Sequence, residues 1–264
     1  MVRPGGFMGN TPILKIYKKL LLEYGRQGWW PLASRGGYHP GDYRKPETRE
    51  ECFEIILGAV LTQNTTWKNA SSALESLLLS VDTPEKLLRL EVSEISKLIR
   101  KSGYHNQKAV KIKEVTSFLL KNDYLGDDLE KTPLRNELLA IWGIGPETAD
   151  SILLYAYSFP SFVVDAYTKR IFSRIGLIDF SSEYGEIQKT FQENLSRKDE
   201  IYNEYHALIV RHAKTLCSKK KPECGKCFLK TECRYPAGDH SDQPPEKNTP
   251  AIRSDSSGGN TKNV

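Results

Sequence analysis

Residues 138–150, Leu138-Leu139-Ala140-Ile141-Trp142-Gly143-Ile144-Gly145-Pro146-Glu147-Thr148-Ala149-Asp150, leave the backbone few choices. An apolar helical pattern runs into Gly-Ile-Gly, and a second helix has to start almost at once. Glycines this close permit a tight turn with positive φ and a close backbone approach to a ligand. Pro146 suits the first turn of the next helix, where its missing N–H costs nothing. The unpaired amides at that helix start point outward and attract an anion such as a phosphate. Asp165 follows the apolar run Phe162-Val163-Val164 and precedes Ala166-Tyr167 and a further apolar-periodic segment. A carboxylate in that position is placed to face a cleft.

The chain has 264 residues, 39% of them hydrophobic, enough to bury one sizeable core or two smaller ones. Lys and Arg number 38 against 33 Asp and Glu, a net charge of +5. Such a small excess permits a polyanionic partner without demanding one, and fits an ordinary soluble protein equally well. No apolar run is long enough to span a bilayer. The start, Met1 to Asn10, has no signal-peptide core. A cytoplasmic, nucleoid-associated protein with reduced thiols and no membrane partner is therefore expected. Four of the five cysteines crowd near the C-terminus, which argues against disulfides spread over the chain.

Nothing alternates with period two, so the chain is predicted to be all-α. Residues 1–11 read as loose. Ile13, Ile16, Leu20, Leu21 and Leu22 mark a helix that ends by Gln27-Gly28-Trp29-Trp30-Pro31. The two tryptophans are either core filler or a stacking platform for a nucleobase, an interaction worth roughly 1–3 kcal/mol. Thr48-Arg49-Glu50-Glu51 opens a helix with a capping box, and Cys52 to Leu61 is apolar nearly all round and hence buried. Thr62-Gln63-Asn64-Thr65-Thr66-Trp67 then reads as a polar turn. Further helices are expected at Ala73–Leu78 and after the Thr83-Pro84 cap, where the pattern of Leu87, Leu88 and Leu90 continues through Val92, Ile95, Leu98 and Ile99 to a stop at Ser102-Gly103. One more runs through Val110, Ile112, Val115, Phe118 and Leu119, and Thr132-Pro133 caps the helix entering the glycine turn. His105 reads as solvated or capping. Helices follow around Ile171–Leu177, Gly185–Leu195 and Ile201–Leu216. The segment 236–264, rich in Pro, Ser, Gly, Asp and Lys, reads as a disordered tail.

Cys217, Cys224, Cys227 and Cys233 stand as C-x6-C-x2-C-x5-C. Four thiolates in so short a loop share a metal or a cluster when the surroundings are reducing. A four-cysteine zinc site usually shows two C-x2-C pairs, and here there is one. The same ligand set holds a [4Fe–4S] cluster, and spacing alone leaves both open. Lys219, Lys220, Lys221, Lys226 and Lys230 fall in or beside the loop, either as a solvated charge run or as contacts to phosphates.

These residues resemble the DNA glycosylases of the endonuclease III superfamily, and the likeness covers most of residues 12–235. Gly143-Ile144-Gly145 and its flanking helices look like that family's helix-hairpin-helix. Val163-Val164-Asp165 looks like the segment bearing its catalytic aspartate, and the cysteine spacing is similar to that of its iron–sulfur loop. The resemblance implies two helical domains flanking a DNA-binding cleft. One is built from 1–45 plus 161–235 and carries a [4Fe–4S] cluster on Cys217, Cys224, Cys227 and Cys233. The other is a six-helix domain, 46–160, with the hairpin. It implies Asp165 as the catalytic residue and double-stranded DNA with damaged bases as the partner of a monomer. Gly143, Gly145, Thr148, Lys219, Lys220 and Lys226 are the expected DNA contacts. The hairpin carbonyls are a candidate site for a monovalent cation. Gln63 is expected to occupy or border the gap left by a flipped base.

Position 147 narrows the activity. Bifunctional members carry a lysine there whose amine forms a Schiff base with the sugar. Glu147 cannot form an imine, so a monofunctional hydrolase of the N-glycosidic bond is expected. Lys169 is the weaker substitute, one helical turn after Asp165. Trp29-Trp30-Pro31, residues 57–65, residues 102–109 and the hairpin are similar to the 3-methyladenine DNA glycosylase branch. That likeness implies an aromatic pocket of Trp30 and Trp67, with Trp29 and Glu147 beside it, for an alkylated and cationic purine. Retention of the cysteine loop departs from the alkyladenine branch. The alternatives are a glycosylase for mismatched thymine or uracil or for oxidised pyrimidines, and a non-catalytic DNA-binding module.

Overall fold

The computed structural model describes residues 11–124 and 131–235. The expected tail at 236–264 and residues 1–10 of the start read as loose lie outside those residues, and Thr11, the last of that start, is the N-cap of the first helix. Eleven α-helices are described: α1 (Pro12–Tyr24), α2 (Arg49–Leu61), α3 (Trp67–Leu78), α4 (Pro84–Arg89), α5 (Val92–Leu98), α6 (His105–Lys121), α7 (Lys131–Ala140), α8 (Pro146–Ser151), α9 (Ala166–Ile175), α10 (Tyr184–Asn194) and α11 (Asp199–Thr215). Among the described residues there is no strand, and one isolated bridge pairs Leu32 with Gly37. The all-α expectation holds.

Local chemistry sets the helix starts. Thr11, Thr48, Thr66 and Thr83 are N-caps, and each side chain accepts from the amide three residues on. Two boundaries differ from the sequence reading. The pattern from Leu87 to Ile99 is broken at Leu90, whose backbone is extended, because Glu91 and Glu94 form a new capping box that restarts the chain as α5. The helix into the hairpin begins at Lys131, so Pro133 sits within its first turn, where no intrahelical N–H is lost.

Two packing groups share one continuous apolar core. In the first, α2 packs on α3 and α6, α6 on α4 and α5, and α7 on α8. In the second, α11 packs on α1 and α9, and α1 on α10. The link between them is the end of the hairpin's second helix. Past Ser151 the chain widens into a π-helical stretch, Ile152–Ala156, which packs against both α2 and α11. π-Helical turns of this kind are frequent at functional sites, and this one carries Tyr155. Helix α2 is buried on every side from Phe53 to Leu61, as its composition predicts.

Asp150, two residues before the π-helical stretch, is fully buried and satisfied by five donors. Arg135 on α7 grips it with two hydrogen bonds of 2.8 and 2.9 Å. Ser161 Oγ donates at 2.6 Å, Tyr184 OH at 2.8 Å and Gln188 Nε2 at 2.9 Å. One carboxylate thus joins α7, the hairpin, α10 and the strap leading to Asp165. Replacing one partner of a buried, hydrogen-bonded charge leaves the others unsatisfied. Asp150→Asn is expected to destabilise the fold by about 3 kcal/mol, measured as a lower denaturant midpoint at constant slope. An unchanged midpoint would show that the carboxylate is not the tie between these elements.

Candidate active site

Asp165 is the N-cap of α9. Its Oδ1 accepts the Thr168 amide at 2.7 Å and the Thr168 hydroxyl at 2.8 Å. Its Oδ2 faces His206 Nε2 at 3.4 Å, within ion-pair range but outside hydrogen-bond geometry. The side chain keeps 11% of its surface exposed, so it lies at the edge of the protein interior and not within it. Burial works against its charged form. The nearby His206 imidazole and the two Thr168 donors outweigh that and hold the carboxyl below the usual carboxylate range.

An aromatic wall stands behind this carboxylate. The Trp29 ring stacks on His206 at 5.7 Å between centroids and 25° between planes. Tyr155 OH meets His206 Nδ1 at 2.6 Å. The Trp30 ring lies 5.1 Å from Tyr155 and 5.3 Å from Trp67. The Trp29–Trp30 peptide is cis, and the Trp29 carbonyl accepts from Asn203 Nδ2. Trp29, Trp30 and Trp67 are all half-buried. The geometry corrects one expectation: Trp30 and Trp67 touch edge to face at 82°, so as they stand no base fits between them. A base has ring faces to stack on, not a slot to enter. Space for Trp30 comes from Gly58 on α2, where a Cβ would meet Trp30 Cζ2 at 3.0 Å.

The hairpin is braced from α6. Gly143 has φ +76°, a conformation that favours glycine, and a Cβ there would lie 2.2 Å from Lys111 Cε and displace the end of that side chain. Gly145 does not need the left-handed region: it is the N-cap of α8 at φ −91°, with open space where a Cβ would point. Gln63 points its amide at the hairpin. Its Nε2 donates to the Gly143 carbonyl at 3.1 Å and to Thr148 Oγ1 at 3.0 Å, and its Oε1 accepts from Lys111 Nζ at 2.7 Å. Thr148 is accordingly buried with its hydroxyl engaged, which differs from a side chain offered to DNA. The Gly143 carbonyl, considered above for a cation, already accepts one hydrogen bond. Lys111 also lies 5.6 Å from the ring of Trp142, which is 57% exposed on the hairpin.

Glu147 is reached by solvent yet surrounded by protein, as expected for a group in a concave site. Burial and the Asp165 charge push its carboxyl up to about 7, against the opposing effect of His206. Lys169, the alternative amine, is turned away: its Nζ donates to the Ser182 carbonyl at 2.9 Å and lies 5.4 Å from the Phe180 ring.

Cys217, Cys224, Cys227 and Cys233 line one pocket with His212, Ile171, Ile175, Leu216 and Leu229. Burial raises the Cys227 and Cys233 thiols, and so do the neighbouring cysteines. Arg174 Nη1 lies 3.3 Å from Cys217 Sγ and donates to the Ser218 carbonyl at 2.8 Å, fixing the loop onto α9. Among the described residues no three His, Cys, Asp or Glu side chains are grouped to hold a single metal ion. Lys219 and Lys220 are exposed, whereas Lys226 is ion-paired with Glu223 at 2.6 Å.

His206, Tyr155 and Lys111 were not singled out from the sequence. His206 and Tyr155 lie in apolar helical segments that read as core, and only the fold brings them to Asp165. Lys111 falls on an otherwise ordinary amphipathic helix.

Comparison with known proteins agrees with this geometry. Residues 57–197 match the HhH-GPD superfamily base excision DNA repair protein family. A protein of Methanocaldococcus jannaschii named a DNA repair glycosylase is 45% identical over 227 residues, covering 84% of this chain and 95% of the relative. The fold is similar to that of endonuclease III in a non-covalent DNA complex, with a TM-score of 0.70 at 20% identity, covering 84% of this chain and 94% of that one. It is also similar to the H. pylori 3-methyladenine DNA glycosylase bound to 1,N6-ethenoadenine, with a TM-score of 0.61 at 28% identity, covering 76% and 95%. No helix among the described residues is long and apolar enough to cross a membrane. With the hairpin, the aspartate at the head of the following helix and a family match that spans both, the chain belongs to the HhH-GPD superfamily of base excision DNA repair proteins.

Proposed function

We propose that this chain is a monofunctional DNA glycosylase that releases alkylated purines of the 3-methyladenine type from double-stranded DNA after base flipping. The observation that carries this reading is an ionised carboxylate, Asp165, beside a half-buried wall of Trp29, Trp30 and Trp67 backed by the buried Tyr155. N3- or N7-alkylation gives the purine a positive charge and weakens its glycosidic bond. An aromatic face attracts that cation by about 0.5–2 kcal/mol. The leaving base then needs little protonation. Asp165 stabilises the oxocarbenium-like sugar and orients or deprotonates the attacking water, as carboxylates do in glycoside hydrolysis. The H. pylori protein with the similar fold is named for the same class of base.

Three observations support hydrolysis without lyase chemistry. Glu147 occupies the hairpin position that would need an amine. Lys169 is bonded away from Asp165. Lys108, whose amine is pushed down to about 8 by burial and by Lys111, is buried and held by the Leu61 and Ser102 carbonyls, each at 2.8 Å. Exposed Lys219 and Lys220 and the turn at Gly143 and Gly145 meet the phosphate backbone in this reading. Gln63 braces the hairpin at the edge of the space a flipped base would leave.

The cysteine pocket fits a [4Fe–4S] cluster by its donor set: four thiols, apolar walls, and the Arg174 guanidinium against one sulfur to offset thiolate charge. Cys217, Cys224, Cys227 and Cys233 would hold it. The cluster would tie the loop after α11 to α9 and supply no step of base release.

Asp165→Asn is expected to lower single-turnover release of 3-methyladenine from methylated duplex DNA by on the order of 100-fold or more, with DNA affinity retained. Wild-type release in that variant would remove Asp165 from the mechanism. Release by the wild-type protein only from mismatched thymine or oxidised pyrimidine duplexes would replace the substrate class. With abasic duplex and borohydride, no covalent protein–DNA complex is expected, and a trapped complex would overturn the monofunctional assignment. Protein purified without oxygen is expected to contain about four irons and four acid-labile sulfides per chain. Cys227→Ser should lose both, and one zinc per chain instead would refute the cluster.

A further inference from the structure

The imidazole of His206 is unusual in its surroundings. It is 8% exposed, packed under the Trp29 ring, and its Nε2 is a buried polar atom without a hydrogen-bond partner. A buried polar atom left unpaired is costly, and native interiors rarely keep one without a functional reason. Asp165 Oδ2 lies against it at 3.4 Å. The opposite nitrogen, Nδ1, is fixed by Tyr155 OH at 2.6 Å. Tyr155 is itself buried, and its hydroxyl is pushed well above the usual tyrosine range by burial and by Asp165. It therefore stays a neutral hydroxyl and can donate to Nδ1, which leaves the ring proton on Nε2.

We infer that His206 is the positioning residue of this site: Tyr155 fixes its proton on Nε2, and that N–H faces Asp165 Oδ2 and keeps the carboxylate ionised and aimed at the sugar. The inference rests on the proposed glycosylase reading. It assigns a division of labour to the carboxylate. Oδ1 is spent on the Thr168 amide and hydroxyl, as an N-cap. Oδ2 is shared between His206 and whatever lies in the cleft. A carboxylate so engaged is a better electrostatic partner for a cationic sugar than a proton acceptor, because each donor lowers its proton affinity. Substrate closing the 3.4 Å gap would complete the hydrogen bond only in the loaded site.

Three ionisable groups face the imidazole from the elements packed on it: Asp165 at the head of α9, Glu147 on α8 and Tyr155 on the π-helical stretch. On α11 itself Glu204 is turned away, accepting from the Gln27 amide at 2.8 Å and from the Tyr43 hydroxyl. Glu147 is the one group that would obscure a pH profile, so the test is made in Glu147→Gln. The sign follows from Asp165, whose ionised form is favoured in the folded site. Activity is present above its titration and lost as pH falls through it. Removing His206 weakens the ionised form, so the acid limb must move to higher pH.

The measurement is the single-turnover rate of 3-methyladenine release against pH for Glu147→Gln alone and with His206→Phe, His206→Gln or Tyr155→Phe. His206→Phe is expected to shift the acid limb upward by about one unit or more. His206→Gln, which keeps an N–H donor, and Tyr155→Phe should shift it less. Loss of packing alone would lower the rate equally at every pH. An acid limb unmoved in His206→Phe, or in Tyr155→Phe should the former not fold, overturns the inference. A second probe is independent of lesion class: a duplex carrying a cationic pyrrolidine in place of the abasic sugar. His206→Phe should weaken its binding several-fold at acid pH, and that loss should vanish in Asp165→Asn. Equal binding by wild type and His206→Phe would overturn the role of His206. A wild type that binds this duplex tightly but releases no alkylated purine would overturn the substrate assignment alone.

Discussion

Two buried carboxylates, treated in opposite ways, organise this molecule. A charge leaves water only if donors replace the lost hydration. Asp150 has every lone pair answered, by Arg135, Ser161, Tyr184 and Gln188, and it therefore acts as a rivet between helices. Asp165 is answered on one oxygen only. The same chain segment connects the two, since Ser161 binds the first carboxylate and Asp165 follows four residues later. The rivet thus fixes where the half-satisfied carboxylate stands. The role proposed for Asp165 needs this asymmetry: full satisfaction would leave it nothing to offer, and no satisfaction would return it to the neutral acid.

The aromatic wall depends on backbone economy around it. Trp30 can lie flat on α2 only because position 58 has no side chain. Lys111 passes over position 143, where a Cβ would displace its end, and donates to Gln63. Gly58, inside α2, gives up about 1 kcal/mol of helix propensity relative to alanine, whereas Gly143 stands in a left-handed turn that glycine favours. What is gained is a fixed position for a large side chain at the cleft. The π-helical stretch belongs to the same economy. One widened turn between α2 and α11 rotates Tyr155 to where its hydroxyl meets His206.

Much of this was legible in the sequence because it depends on short-range chemistry. Threonine caps at 48 and 83, the all-round apolar α2, the Gly143 turn and Pro146 at the first turn of α8 each follow from a few adjacent residues. Asp165 was legible for the same reason, as a polar residue between an apolar run and a helix start. The pocket was less so. Trp30 and Trp67 could be named, but their edge-to-face contact is a matter of ring orientation that no spacing encodes. Thr148 read as an outward hydroxyl, and only the arrival of Gln63 from 85 residues away turns it inward. His206 was invisible because a histidine on a buried helical face has the periodicity of core. Its meaning appears when Tyr155, 51 residues earlier, is placed against one ring nitrogen and Asp165 against the other.

The position of Glu147 connects these observations to activity. An amine at the lip of the cleft would sit beside Asp165 as an ion pair and would be a nucleophile toward the sugar. A carboxylate in the same place is repelled by Asp165 and is pushed toward its protonated form near neutrality. Proton uptake at Glu147 leaves one negative charge in the cleft instead of two. That single charge is the one aligned by Thr168 and His206. In the proposed reading, a carboxylate in place of the amine thus does more than forgo covalent chemistry. It leaves the electrostatics of the cleft to an oriented aspartate, which suits the proposed substrate: a base that is cationic while attached departs neutral, and the positive charge passes to a sugar that needs a counter-charge and a water molecule.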